Sequence, residues 1–116
     1  MNYNDLDTSK NFFEEGNKKF DLDNLQGALN EYSKSIEFNP NNVDAYFNRG
    51  TVRFELNHFN DAISDFSIVI YFSPKNDIAL LKRGETYYEL KDILLKIRYV
   101  PILLNLLRHQ NSLHHL

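Results

Sequence analysis

The chain contains no cysteine, which excludes disulfides, thiolate metal sites and cysteine nucleophiles together. Glycine and proline are scarce, four and three in all, so each one marks a particular place in the chain. No glycine-rich phosphate loop is present. Basic residues do not cluster into the face that nucleic acid demands, and the net charge is -3. The acidic start, Met1-Asn-Tyr-Asn-Asp-Leu-Asp, lacks the cations and apolar run of a secretory signal. Residues 1–8 are therefore expected to be a frayed lead-in, and the chain to be cytoplasmic. A long apolar run is also missing. The nearest extends from Ile93 to Leu107 and is interrupted by Lys96 and Arg98. A membrane-spanning helix needs about 20 mostly apolar residues, more than this run offers, so a membrane role is not expected.

What is present is a period. Gly16, Gly50 and Gly84 are evenly spaced, at an interval of about 34 residues that falls among those of stacked repeats. Other columns repeat with them. Phe12, Tyr46 and Leu80 lie four residues before the glycines, and Phe20, Phe54 and Tyr88 four after. Leu25, Phe59 and Ile93 come nine after, and Tyr32, Phe66 and Val100 sixteen after. Ala28 and Ala62 come twelve after in the first two copies, and Pro40 and Pro74 close them. Small, aromatic and proline positions all recurring in place are the mark of a stacked repeat.

Within a copy the apolar spacing is helical. Val43 to Leu56 carries one amphipathic stretch, and Asn57-His58 interrupts it. Phe59, Ala62, Ile63, Phe66, Val69 and Ile70 follow at intervals of three and four. Ser73-Pro74 ends the second stretch, because proline has no backbone N–H and restricts the residue before it. Each copy is expected to be helix, short turn, helix. Glycine inside a helix costs about 1 kcal/mol relative to alanine. Close helix approach is the reason to carry it three times, with Phe54 and Phe66 filling the space beside Gly50.

These residues resemble the tetratricopeptide repeat (TPR) family. The resemblance is carried by Tyr46, Gly50, Phe54, Phe59, Ala62, Phe66 and Pro74 in the second copy. In the first it is carried by Phe12, Gly16, Phe20, Leu25, Ala28, Tyr32 and Pro40. It covers about residues 9–93. It implies an all-α solenoid of two complete and one degenerate helix-turn-helix repeats, with an irregular C-terminal segment. The repeats would span about 9–42, 43–76 and 77–107, with a tail at 108–116.

The third copy loses the pattern after Ile93. Lys96 replaces the small residue, and the proline is displaced to Pro101. Three readings stand side by side: a degenerate last helix ended or kinked at Pro101 with a floppy tail, residues from a shifted or unspliced reading frame, or a membrane anchor. Ile93, Ile97, Val100, Leu104 and Leu107 share one helical face. A solenoid ordinarily ends in a polar cap, so this apolar end implies self-association through residues 93–107. Charge divides at the same point. Residues 1–92 hold all 16 acids against ten of the 13 bases, whereas 93–116 hold three bases and no acid.

In the family the first helix of each pair lines a concave groove that takes peptides. The resemblance places Phe13 and Asn17 there from the first copy, Phe47, Asn48, Thr51 and Glu55 from the second, and Leu81, Lys82, Glu85 and Glu89 from the third. Phe13, Phe47 and Leu81 are equally readable as half-buried packing residues. Some members grip the C-terminal carboxylates of chaperones through five polar positions. Asn17 and Asn48 match two of these, and Lys82 stands where arginine is usual, a point charge without the guanidinium fork. Phe13 and Ile78 occupy the two lysine positions.

Catalysis has little to rest on. His58 falls in a turn and reads as exposed. His109, His114 and His115 have neither acid nor cysteine beside them for metal binding. Asp61, Asp65 and Glu55 read as helix-face charges. No cofactor or metal is implied. The resemblance therefore implies a non-enzymatic module binding a peptide or helix of a protein partner in its groove: either a partly apolar peptide or, for an adaptor of co-chaperone type, a chaperone tail. The alternative is a structural or oligomerisation module associating through its apolar C-terminal helix face.

Overall fold

A computed structural model describes residues 2–114, with side chains over 2–111. The described residues form five helices: α1 (Tyr3–Asp21), α2 (Leu25–Phe38), α3 (Val43–Glu55), α4 (Phe59–Phe72) and α5 (Asp77–His114). No strand occurs among the described residues. Successive helices pack on their neighbours, α1 on α2, α2 on α3, α3 on α4 and α4 on α5. The result is an all-α solenoid.

The turns explain the helix boundaries. Asp23 and Asn57 adopt positive φ, 60° and 63°, and Asp and Asn tolerate this left-handed region better than most residues. Each turn thus reverses the chain within three residues, Leu22-Asp23-Asn24 and Leu56-Asn57-His58. Asparagines then start helices. The Asn24, Asn42 and Asn76 side chains accept hydrogen bonds from the backbone N–H of Gly27, Ala45 and Ala79 at 3.0, 3.2 and 3.0 Å. Such caps satisfy donors that the first helical turn leaves unpaired.

The core repeats with the sequence. Ala28 and Ala62 are fully buried, as are Tyr32 and Phe66 beside them. A Cβ placed on Gly16 would sit 2.7 Å from the Tyr32 ring, and one on Gly50 2.8 Å from the Phe66 ring. Closeness of approach is therefore the reason for glycine at these two positions. Polar links repeat as well. Lys19 reaches Glu31 at 3.2 Å, and one repeat later Arg53 reaches Asp65 at 2.8 Å. Arg49 donates to Ser33 Oγ at 3.3 Å, and Arg83 to Ser67 Oγ at 3.2 Å. These last two bonds tie each first helix to the second helix of the copy before it.

Two expectations need correction. The N-terminal lead-in is helical from Tyr3, because Asn2 caps α1 through the Asp5 N–H at 2.8 Å. Ser9, just past the expected lead-in, is buried and exchanges hydrogen bonds with Ser35. At the other end, the expected third helix-turn-helix and irregular segment are replaced by one continuous helix, α5, running through Pro101. The turn fails for a local reason. Lys91 stands where the other copies have Asp23 and Asn57, and a lysine has no side-chain route to stabilise positive φ. Pro101 removes one helical hydrogen bond without ending the helix. The chain measures 77 × 30 × 20 Å, drawn out by the arm of α5 beyond Ile93. Of the tail, His115 and Leu116 lie outside the described residues, as does the side chain of His114.

Candidate functional site

The first helices α1 and α3 bring four of the expected groove residues together. Asn17, Phe47, Asn48 and Thr51 line one open cleft of about 400 Å³. Phe20, Asp21 and Tyr32 complete its wall. The floor is a hydrogen-bonded trio. Tyr32 donates its hydroxyl to Asn17 Oδ1 at 2.5 Å, and Asn48 Nδ2 donates to the same oxygen at 3.0 Å. Both bonds fall on Oδ1, which fixes the Asn17 amide and leaves its Nδ2 donors outside this pair of bonds. Burial pushes the Tyr32 phenol above its ordinary value, the nearby Asp21 carboxylate adds to the rise, and a hydrogen bond with Asn48 works against it. The phenol therefore remains a donor through the neutral pH range.

Phe13 and Phe47 do what the repeat pattern allows them to do as packing residues. Their rings lie 5.8 Å from those of Tyr32 and Phe66 respectively. Phe13 also borders a second open cavity, shared with Lys10, Asn17 and Asn42 among others. Leu81, Lys82 and Glu85 are on α5 and do not line the Asn17–Asn48 cleft. Leu81 is 63 % exposed, and Lys82 Nζ lies 3.7 Å from Glu85 Oε2.

Sequence reasoning missed one strongly organised group. Asp65, read as a surface charge, is 1 % exposed. Arg49 grips it with two nitrogens, at 3.0 and 2.8 Å, and Arg53 adds a third bond at 2.8 Å. The two arginines of α3 thereby lock α4 in place behind the groove. A signal was available in the recurrence of cation and acid at one fixed separation, Lys19–Glu31 and Arg53–Asp65. Tyr32 and Asp21 were also missed as residues of this cleft. Tyr32 was visible only as a packing column. Among the described residues no group of three or more potential metal ligands is present, and no helix is long and apolar enough to cross a membrane.

Comparison with known proteins agrees with this geometry. The TPR repeat family model matches residues 16–57. The Arabidopsis OM64 TPR domain superposes with a TM-score of 0.72 at 28% identity, over 76% of this chain and 73% of that one. The first TPR of Spaghetti (RPAP3), solved bound to the HSP90 peptide SRMEEVD, gives 0.71 at 25% identity, over 75% and 69% of the two chains. The N-terminal domain of stress-induced protein-1 (STI-1) from C. elegans shares the fold, with a TM-score of 0.69 at 20% identity, over 84% and 82%. No curated protein matches the chain. Glycine period, helix pairing and family match coincide, and the helical repeats of this chain are similar to tetratricopeptide repeats.

Proposed function

We propose that this chain is a non-enzymatic adaptor that binds an extended peptide or helix in its concave groove, in the cytoplasm, with no nucleic-acid partner. The single observation that carries the reading is the trio of Asn17, Tyr32 and Asn48 on the floor of the cleft. Its amides are held in fixed orientation, which spares a ligand the cost of ordering them. Amide donors suit a peptide carbonyl or a terminal carboxylate. Phe47 and Phe20 beside them supply apolar wall for a neighbouring side chain.

The more specific version is co-chaperone binding, with a chaperone's acidic C-terminal tail as ligand. Asn17 and Asn48 occupy two of the clamp positions, and the RPAP3 neighbour is bound to the HSP90 peptide SRMEEVD. Lys82, Leu81 and Glu85 would then meet the remainder of the peptide from α5. Asp21 on the cleft wall favours a peptide whose negative charge is confined to its end.

The test is fluorescence titration with a labelled peptide ending in Met-Glu-Glu-Val-Asp and a free carboxylate. It is run at about 50 mM salt, where charge contacts are weakly screened. Saturable binding is expected, weakened about tenfold or more in Asn48→Ala, as loss of a hydrogen bond to a charged group implies. Absence of binding, or equal affinity in Asn48→Ala, overturns the tail-binding reading. An amidated peptide binding as well as the free acid would reassign the amides to backbone recognition.

A further inference from the structure

Gly84 differs from the other two repeat glycines in what surrounds it. Gly16 meets Tyr32 and Gly50 meets Phe66, but a Cβ built on Gly84 has nothing within 4 Å. The flanking Leu81 and Tyr88 are 63 % and 70 % exposed. The niche that a second helix fills in the first two repeats is open in the third. At the same time the arm of α5 exposes Leu95, Tyr99, Ile102 and Leu106 with no bed beneath them. One end of the helix lacks a cover and the other lacks a support.

The chain's own arm does not close the niche. Lys91 offers no left-handed turn. Folding back in the register of the other copies would also put Lys96 where Ala28 and Ala62 are fully buried, and a buried unpaired lysine is costly. We infer that two copies of the chain pair through antiparallel α5 helices, each arm covering the other copy's Gly84 niche.

The register follows from the spacing. Leu81, Gly84 and Tyr88 advance by three and four residues, as do Tyr99, Ile102 and Leu106. The eleven residues between Tyr88 and Tyr99 make about three helical turns, so all six share one face of a straight helix. That face has no charge at these six positions; Asp92 and Lys96 lie along one edge of it and Lys91 along the other. An antiparallel pair about a two-fold axis near residues 93 and 94 sets Leu81 against Leu106 of the second copy. It sets Gly84 against Ile102 and Tyr88 against Tyr99. Closed two-fold pairing of this kind is the commonest in soluble oligomers.

Charge favours the same arrangement. In this register the basic arm, with three cations and no acid, lies along residues 77–92 of the second copy, which carry four acids and three bases. Asp92 and Lys96, 2.9 Å apart within one helix, flank the two-fold axis. Antiparallel pairing brings Asp92 beside Lys96 of the second copy. Parallel pairing would set like charges side by side, which destabilises.

Sedimentation equilibrium of the full chain measures the association. A dimer is expected below about 100 µM, with Ile102→Glu raising the dissociation midpoint about 30-fold or more, as loss of a central apolar anchor implies. The thermal midpoint and far-ultraviolet dichroism of Ile102→Glu, taken well below the dissociation concentration, are expected to match those of the equally diluted parent. Because the parent has no cysteine, disulfide trapping reads the register. Mixed Gly84→Cys and Ile102→Cys chains are expected to cross-link to each other and not to themselves. A monomer at high concentration, a monomer that adheres to lipid vesicles, or a 102–102 cross-link overturns the proposal.

Discussion

Gly50 and Gly84 occupy the same place in two copies of one unit, yet only Gly50 is pressed against a neighbouring ring. The second copy turns at Asn57 and folds α4 back over α3, so Phe66 reaches the glycine. The third has Lys91 at that turn, and α5 runs on to His114. A glycine column is thus a record of helix contact only where the turn that creates the contact is also kept. The difference also separates polar from apolar means of closure. Copies one and two brace their helix pairs with Lys19–Glu31 and Arg53–Asp65. The corresponding third-copy positions are Tyr87 and Tyr99, which form no ion pair.

The largest expected effect comes from breaking the brace of the second copy. Asp65→Ala strands Arg49 and Arg53 behind the groove, and loss of one partner of a buried ion pair costs about 3–5 kcal/mol. The same change at Glu31, whose partners Lys19 and Lys34 are 33 % and 52 % exposed, is expected to cost about 1 kcal/mol or less. Urea unfolding of the two variants measures both. Equal losses would mean that Asp65 is not buried as described.

Smaller effects are expected at the glycines. Gly16→Ala and Gly50→Ala push a methyl into Tyr32 or Phe66, and overpacking of this kind costs about 1–3 kcal/mol. Gly84→Ala, made in the Ile102→Glu background to keep the chain monomeric, meets open space. It is expected to stabilise by about 1 kcal/mol through helix propensity alone. Thermal unfolding gives the signs. Destabilisation by Gly84→Ala in that background would show that the niche is already filled.

Much of this was legible in the sequence. The period, the amphipathic spacing and the prolines after α2 and α4 placed four helices, and the family resemblance singled out Asn17, Phe47, Asn48 and Thr51, which line one cleft. The long α5 was not read. Apolar spacing through Ile93, Ile97 and Val100 reports a helix but not whether a turn precedes it. That question rests on one backbone angle, and its trace was the substitution of Lys91 into the Asp23–Asn57 column. Asp65 was missed because a buried carboxylate and an exposed one have the same helical spacing. Only its partners in the preceding helix, Arg49 and Arg53, distinguish them.

The continuity of α5 underlies both the open Gly84 niche and the arm that would fill it. Spin labels at Lys75→Cys and His109→Cys, in a chain otherwise free of cysteine, measure it directly by pulsed dipolar spectroscopy. The sample is diluted with unlabelled chain so that only distances within one molecule are read. A continuous helix holds the labels about 50 Å apart, at about 1.5 Å per residue. A third helix-turn-helix repeat, folded back in the register of the other two, would bring them to about 10–20 Å, given a helix packing distance of about 8–10 Å plus the label arms. A distribution centred at about 50 Å is the predicted result, and one centred at about 20 Å or less would contradict it.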